Sequence, residues 1–168
     1  MNIAIVIHTS SGHTLKFAQA IRDKLVSLGH EADLTGLRTV GAVTAGLLPL
    51  TRVNFTIKNP PELEGFDTVL VGGPVWGFKA SPVIMRYLAE DVQNLKGKRA
   101  LSFVTMSMAG GGKALRMMNG ELEAAGAEVL EGEAVKSLFM PNALKLSAPA
   151  DRICERVCGS VEAAAKSA

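Results

Sequence analysis

The run Ile3–Ile7 stops abruptly in hydroxyls and one glycine, Thr9-Ser10-Ser11-Gly12-His13-Thr14, and from Thr14 onward apolar residues recur at helical spacing. Ile3, Ile5, Val6 and Ile7 read as a short strand buried on both faces, and Leu15, Ala18, Ile21, Leu25 and Leu28 mark one face of an amphipathic helix over 14–28 that Gly29 closes. A buried strand that feeds a helix through such a turn aims the helix's first free N–H groups and several hydroxyls at one point. That point favours an anion, and phosphate suits it. The alternative is a plain turn in which Ser or Thr caps the helix.

The same pattern recurs along the chain. His30–Thr35 reads as a second strand, less apolar and nearer an edge. Residues 36–61 carry Gly36, Gly41 and Gly46, the patch AGLLPL and then VNFTIKNPP; a poorly formed helix followed by an extended loop is expected there. DTVLVGG after Phe66 is a second buried strand that runs into Pro74-Val75-Trp76-Gly77-Phe78-Lys79. A helix over 81–94 follows, with Ser81 as N-cap and Pro82 at the first helical position. Ala100–Thr105 is a strand that ends in the turn Met106–Gly112, before a helix over 113–125 closed by Gly126. AEVLEG gives a fifth strand and Pro149–Ala165 a last helix. Strands written as continuous apolar runs and alternating with helices imply a parallel sheet covered on both faces, a three-layer doubly wound α/β fold.

With 168 residues, 48% of them apolar, the chain suits one domain over 1–168 with a sizeable core. A formal charge of +2, with scattered basic residues, gives no footprint for nucleic acid. The apolar runs are too broken by Gly, Pro and charge to span a membrane, and the N-terminus lacks the pattern of a signal peptide, so a cytoplasmic protein is expected. Cys154 and Cys158 share a helix face but form neither C-x-x-C nor part of a metal-ligand set. They read as small buried hydrophobes, and no metal site is expected.

Ligands of doubly wound sheets bind outside the carboxyl ends of the strands, where the strand order switches. Three unusual turns, TSSGHT, GGPVWGFKAS and TMSMAGGG, fall on that edge. The first offers N–H groups and hydroxyls without a carboxylate. The second offers Trp76, the only tryptophan, as a planar surface for stacking. The third offers Gly110, Gly111 and Gly112, which let backbone approach a ligand closely. Together they describe a site for a flat heterocycle carrying a phosphate. Trp76 packed under 36–61, and an ordinary loop at 110–112, are the plainer alternatives. A P-loop is excluded because Ala114 follows Lys113, no G-x-G-x-x-G follows the first strand, and a receiver domain's acidic residues are missing.

T-x-S-G-x-T at Thr9–Thr14, G-G-P-V-W-G at Gly72–Gly77 and VTMSMAGGG at Val104–Gly112 resemble the three flavin-mononucleotide loops of flavodoxin-like proteins. The resemblance covers most of the chain outside 36–61. It implies a five-stranded parallel sheet in the order 2-1-3-4-5 and FMN as cofactor. Thr9, Ser10, Ser11, Gly12, His13 and Thr14 would hold the phosphate. Pro74, Val75, Trp76 and Gly77 would flank the isoalloxazine, and Thr105, Met106, Ser107, Gly110, Gly111 and Gly112 would cover its other side or edge.

The departures from the family pattern concern charge. Low-potential flavodoxins are usually strongly acidic and often stack a second aromatic from the third loop, whereas these three loops hold no Asp or Glu and Lys79 and Lys113 lie beside them. A cation near a reduced, anionic flavin stabilises it, so a higher potential is expected. S-G-H-T and G-F-K-A-S-P are also similar to the quinone-reductase branch of the superfamily, in which NAD(P)H would be the electron donor. His8 and His13 are then candidate proton donors, though both positions also suit structural histidines. Three readings result: an electron-transfer protein with a redox partner protein, an NAD(P)H-dependent quinone reductase using a nicotinamide nucleotide, and a flavin-free binding module. A homo-oligomer is compatible with each.

Overall fold

A computed structural model describes residues 1–41, 43, 55–137 and 144–166. The chain runs β1 (Asn2–Ile7), α1 (His13–Ser27), β2 (Glu31–Gly36), β3 (Arg38–Gly41), β4 (Phe55–Lys58), β5 (Thr68–Trp76), β6 (Lys79–Ala80), α2 (Pro82–Arg86), a π-helical turn (Tyr87–Asp91), β7 (Arg99–Met106), α3 (Gly111–Ala124), β8 (Glu128–Lys136) and α4 (Leu144–Lys166). Five strands form one parallel sheet in the order β2-β1-β5-β7-β8. Counted along the chain, that is the expected order 2-1-3-4-5.

Alternation along each strand divides the core into two layers. Ile3, Ile5 and Ile7 of β1, with Leu70, Leu101 and Phe103, pack under Phe17, Ile21 and Leu25 of α1 and Ile153 and Val157 of α4. Val6, Val69, Val71, Ala100 and Val104 face the other way, onto Ile84, Tyr87, Ala114, Met118 and Leu122. Cys154 lies in the first layer, where burial pushes its thiol up to about 12. No helix among the described residues is long and apolar enough to cross a membrane.

Four expectations are corrected. Arg38–Gly41 is not helical and Phe55–Lys58 is not a loop: they pair antiparallel as a two-stranded ribbon, held where Leu37 and Ile57 pack on the second core layer and Arg86 stacks over Phe55. The helix expected over AGLLPL lies outside the described residues. The helix that begins at Pro82 leaves α geometry after Arg86 and ends at Asp91, because Val92 turns extended and buries its side chain with Leu95. The last helix starts at Leu144 and carries Pro149 inside it, since Leu146 and Ala150 bury on the same face as Ile153 and packing there outweighs the proline's lost hydrogen bond. α3 begins at Gly111, two residues before the expected start.

Candidate functional site

All three turns lie at the carboxyl edge of the parallel sheet, beyond Ile7, Gly73 and Met106. The first is folded by its own residues. Gly12 takes a left-handed conformation (φ 81°), and its N–H donates to Thr9 Oγ1 at 3.1 Å. No side chain caps α1, so the capping alternative fails and the helix's first N–H groups point out of the turn. Ser10 and Ser11 are exposed, and Ser11 Oγ pairs with His13 Nδ1 at 3.2 Å. Thr14 differs from them. Its side chain is buried, and its Oγ1 shares a 2.8 Å hydrogen bond with Thr105 Oγ1, tying the first turn to the end of β7.

The second turn is a β-hairpin. Pro74, Val75 and Trp76 are the last three residues of β5 and are half-buried. Val75 pairs with Ala80 and Trp76 with Lys79, leaving Gly77 and Phe78 as a two-residue loop with φ of 54° and 64°. Positive φ at both positions defines a type I′ turn, whose twist matches the flanking strands. The His8 and Trp76 rings pack in a T-shaped arrangement, 5.3 Å between centroids and 82° between planes. His8 Nδ1 is hydrogen-bonded to Ser81 Oγ at 3.0 Å, while that oxygen also accepts the Ile84 N–H at 3.3 Å to cap α2. Burial pushes the His8 imidazole below its ordinary value, so it is neutral at pH 7. His8 therefore packs against Trp76 as an uncharged ring.

The third turn departs most from expectation. Thr105 is buried, Met106 half-buried, and Ser107 and Met108 exposed. Gly110 is left-handed (φ 99°), and a Cβ there would meet Phe78 Cα at 2.6 Å. A Cβ on Gly111 would meet Ala134 and Met106. Two of the three glycines are thus explained by packing within the protein, and only Gly112 is exposed, with the Arg116 guanidinium at ordinary contact distance from where a Cβ would lie. α3, like α1, starts without a capping side chain. Ser81 as a histidine partner and Phe78 as a left-handed aromatic were missed in the sequence. Their only signals were a serine that already served as an N-cap and a bulky residue after a turn glycine.

The strand order and crossover helices define a flavodoxin-like fold. Among solved structures the chain is similar to oxidised flavodoxin 1 from Bacillus cereus, at TM-score 0.68 and 21% identity over 94% of this chain and 97% of that one. It is similar as well to a Streptococcus pneumonia TIGR4 flavodoxin (TM-score 0.68, 20% identity, 95% and 99% covered). A third likeness is to a flavoprotein in complex with FMN from Lactobacillus acidophilus (TM-score 0.59, 18% identity, 79% and 92% covered). No protein-family profile matches the sequence, and no curated protein does.

Proposed function

We propose that the protein binds FMN at the carboxyl edge of its sheet and transfers electrons through it. The observation that carries this reading is the uncapped start of α1 behind left-handed Gly12, ringed by Ser10, Ser11 and His13 and lying on the same edge as Trp76. An anion there completes the helix N-terminus. The likeness to flavodoxins and to a flavoprotein solved with FMN supports FMN as its carrier. The turn at 9–14 would hold the phosphate. Trp76, steadied by His8, would flank the flavin ring, and the backbone at 105–112 would border its edge. The flavin supplies the redox chemistry when bound, and the protein's part is to orient it and set its potential.

The test is the absorbance spectrum of the purified protein, followed by FMN titration and then anaerobic NADPH. Flavin bands, or uptake of added FMN, with slow reduction by NADPH alone are the expected result. Colourless protein that takes up no FMN would make the chain a flavin-free module. Fast NADPH oxidation with a quinone acceptor would make it a quinone reductase.

A further inference from the structure

The near-neutral net charge hides a strong asymmetry. No Asp or Glu occurs from Met1 to Arg22, Leu34 to Pro61, Thr68 to Ala89, Val92 to Gly120 or Ala134 to Ala150. Each of these stretches contains the carboxyl end of one of the five parallel strands. The acids gather at the opposite edge instead: Glu31 and Glu128 open β2 and β8, and Asp67 precedes β5. At the carboxyl edge Lys16, Arg38, Lys79, Lys113, Arg116 and Lys136 are all exposed. Among the described residues none of these six has a carboxylate partner. Arg116 folds back towards Gly112 at the start of α3, which brings its charge to this edge.

Within that basic field stands an apolar centre. Phe78 is 63% exposed and Met108 74% exposed. They belong to the two turns that touch where Gly110 meets the Phe78 backbone. A bulky side chain in the left-handed region carries strain, and here the strained residue buries little of its ring. Neither turn preference nor core packing accounts for a phenylalanine at this point.

We propose that the carboxyl edge is a docking face for a protein partner whose own surface is acidic around an apolar spot, seated on Phe78 and Met108. The partner's redox role rests on the function proposed above; the docking rests on the charge map and the exposed apolar pair. A protein fits better than a nicotinamide nucleotide because the cations spread over all five strand ends and the apolar pair stands out from the surface. Opposite charge of this kind steers encounter and fixes orientation.

The test is a titration of the isotope-labelled full-length protein with a strongly acidic plant-type ferredoxin, followed by amide NMR at low ionic strength, with basic cytochrome c as counter-probe. Shifts at Phe78, Lys79, Met108 and Lys113 are expected. The affinity should weaken about tenfold or more in 0.5 M salt and in the Lys79→Glu/Lys113→Glu variant. If that variant loses its folded spectrum, Lys79→Gln is read in its place, with a smaller weakening. The proposal is overturned by absent or misplaced shifts, by equal binding of cytochrome c, or by a folded variant that binds unchanged. It falls equally if NADPH shifts these signals and ferredoxin does not. FMN binding is measured separately by quenching of flavin fluorescence. Failure there removes the flavin reading and leaves the ferredoxin titration to decide the docking.

Discussion

Gly110 lies directly against the backbone of Phe78, so close that a Cβ on the glycine would fall 2.6 Å from Phe78 Cα. The hairpin after β5 and the turn before α3 are therefore fitted to each other through one missing methyl group. Because Gly110 also has φ of 99°, Gly110→Ala should cost about 1–3 kcal/mol through backbone strain and displacement of the hairpin. Urea denaturation would show this as a lower midpoint with an unchanged slope. A variant as stable as the parent would mean that the two turns yield freely.

Trp76 carries the stacking part of the proposed function. Trp76→Ala should weaken FMN binding by about 1–3 kcal/mol, by analogy with bases stacked on aromatics. Fluorescence titration would read the affinity and far-UV circular dichroism the fold. Unchanged affinity in a folded variant removes the ring from the site.

Two groups should govern acid sensitivity, with onsets at different pH. Burial holds the His8 imidazole below its ordinary value near 6.5, so the unfolded chain takes up a proton first. Stability is full above that value and falls as pH drops from it towards the folded value. Glu133 acts lower. Burial alone would raise its carboxyl, but hydrogen bonds from Arg152 at 2.6 Å and Arg156 at 2.9 Å outweigh that and hold it below the ordinary glutamate value. Its contribution is present above that ordinary value and is lost as pH falls through the folded one. Melting temperature against pH should thus decline in two stages, with His8→Asn flattening the first and Glu133→Gln the second.

Lys79 and Lys113 bear on the potential. If flavin binds at this edge, replacing both by Gln should lower the midpoint of the bound flavin by tens of millivolts. An exposed charge at contact distance contributes about 1 kcal/mol, and roughly 1.4 kcal/mol corresponds to 59 mV for one electron. Redox titration of parent and variant checks the sign, and an upward shift would contradict it.

The parallel sheet was legible because its three central strands, β1, β5 and β7, are buried on both faces and are written as apolar runs such as Ile3–Ile7 and Val69–Val71. The turns at Thr9–Thr14 and Met106–Gly112 were legible by composition, but the reasons for their residues were not. Gly110 and Gly111 read as room for a ligand, and the fold adds that they make room for Phe78, Ala134 and Met106, contacts that only the folded chain brings together. The β3–β4 ribbon escaped because its strands are four residues each and Val40 is exposed, so neither length nor period marks them. Pro149 misplaced a helix start because local preference was weighed without the face that Leu146 and Ala150 bury.

The place of β1 inside the sheet has a consequence for synthesis on the ribosome. β2 covers one edge of β1, but the other edge waits for β5, whose Thr68 pairs beside Ile3. At about 5–20 residues per second, the intervening stretch takes roughly 3 to 13 seconds to emerge. For that interval the most apolar strand of the nascent chain presents an open ladder of backbone donors and acceptors. Slowed translation between β2 and β5 should therefore raise the demand of this chain for chaperones more than slowing anywhere after β5.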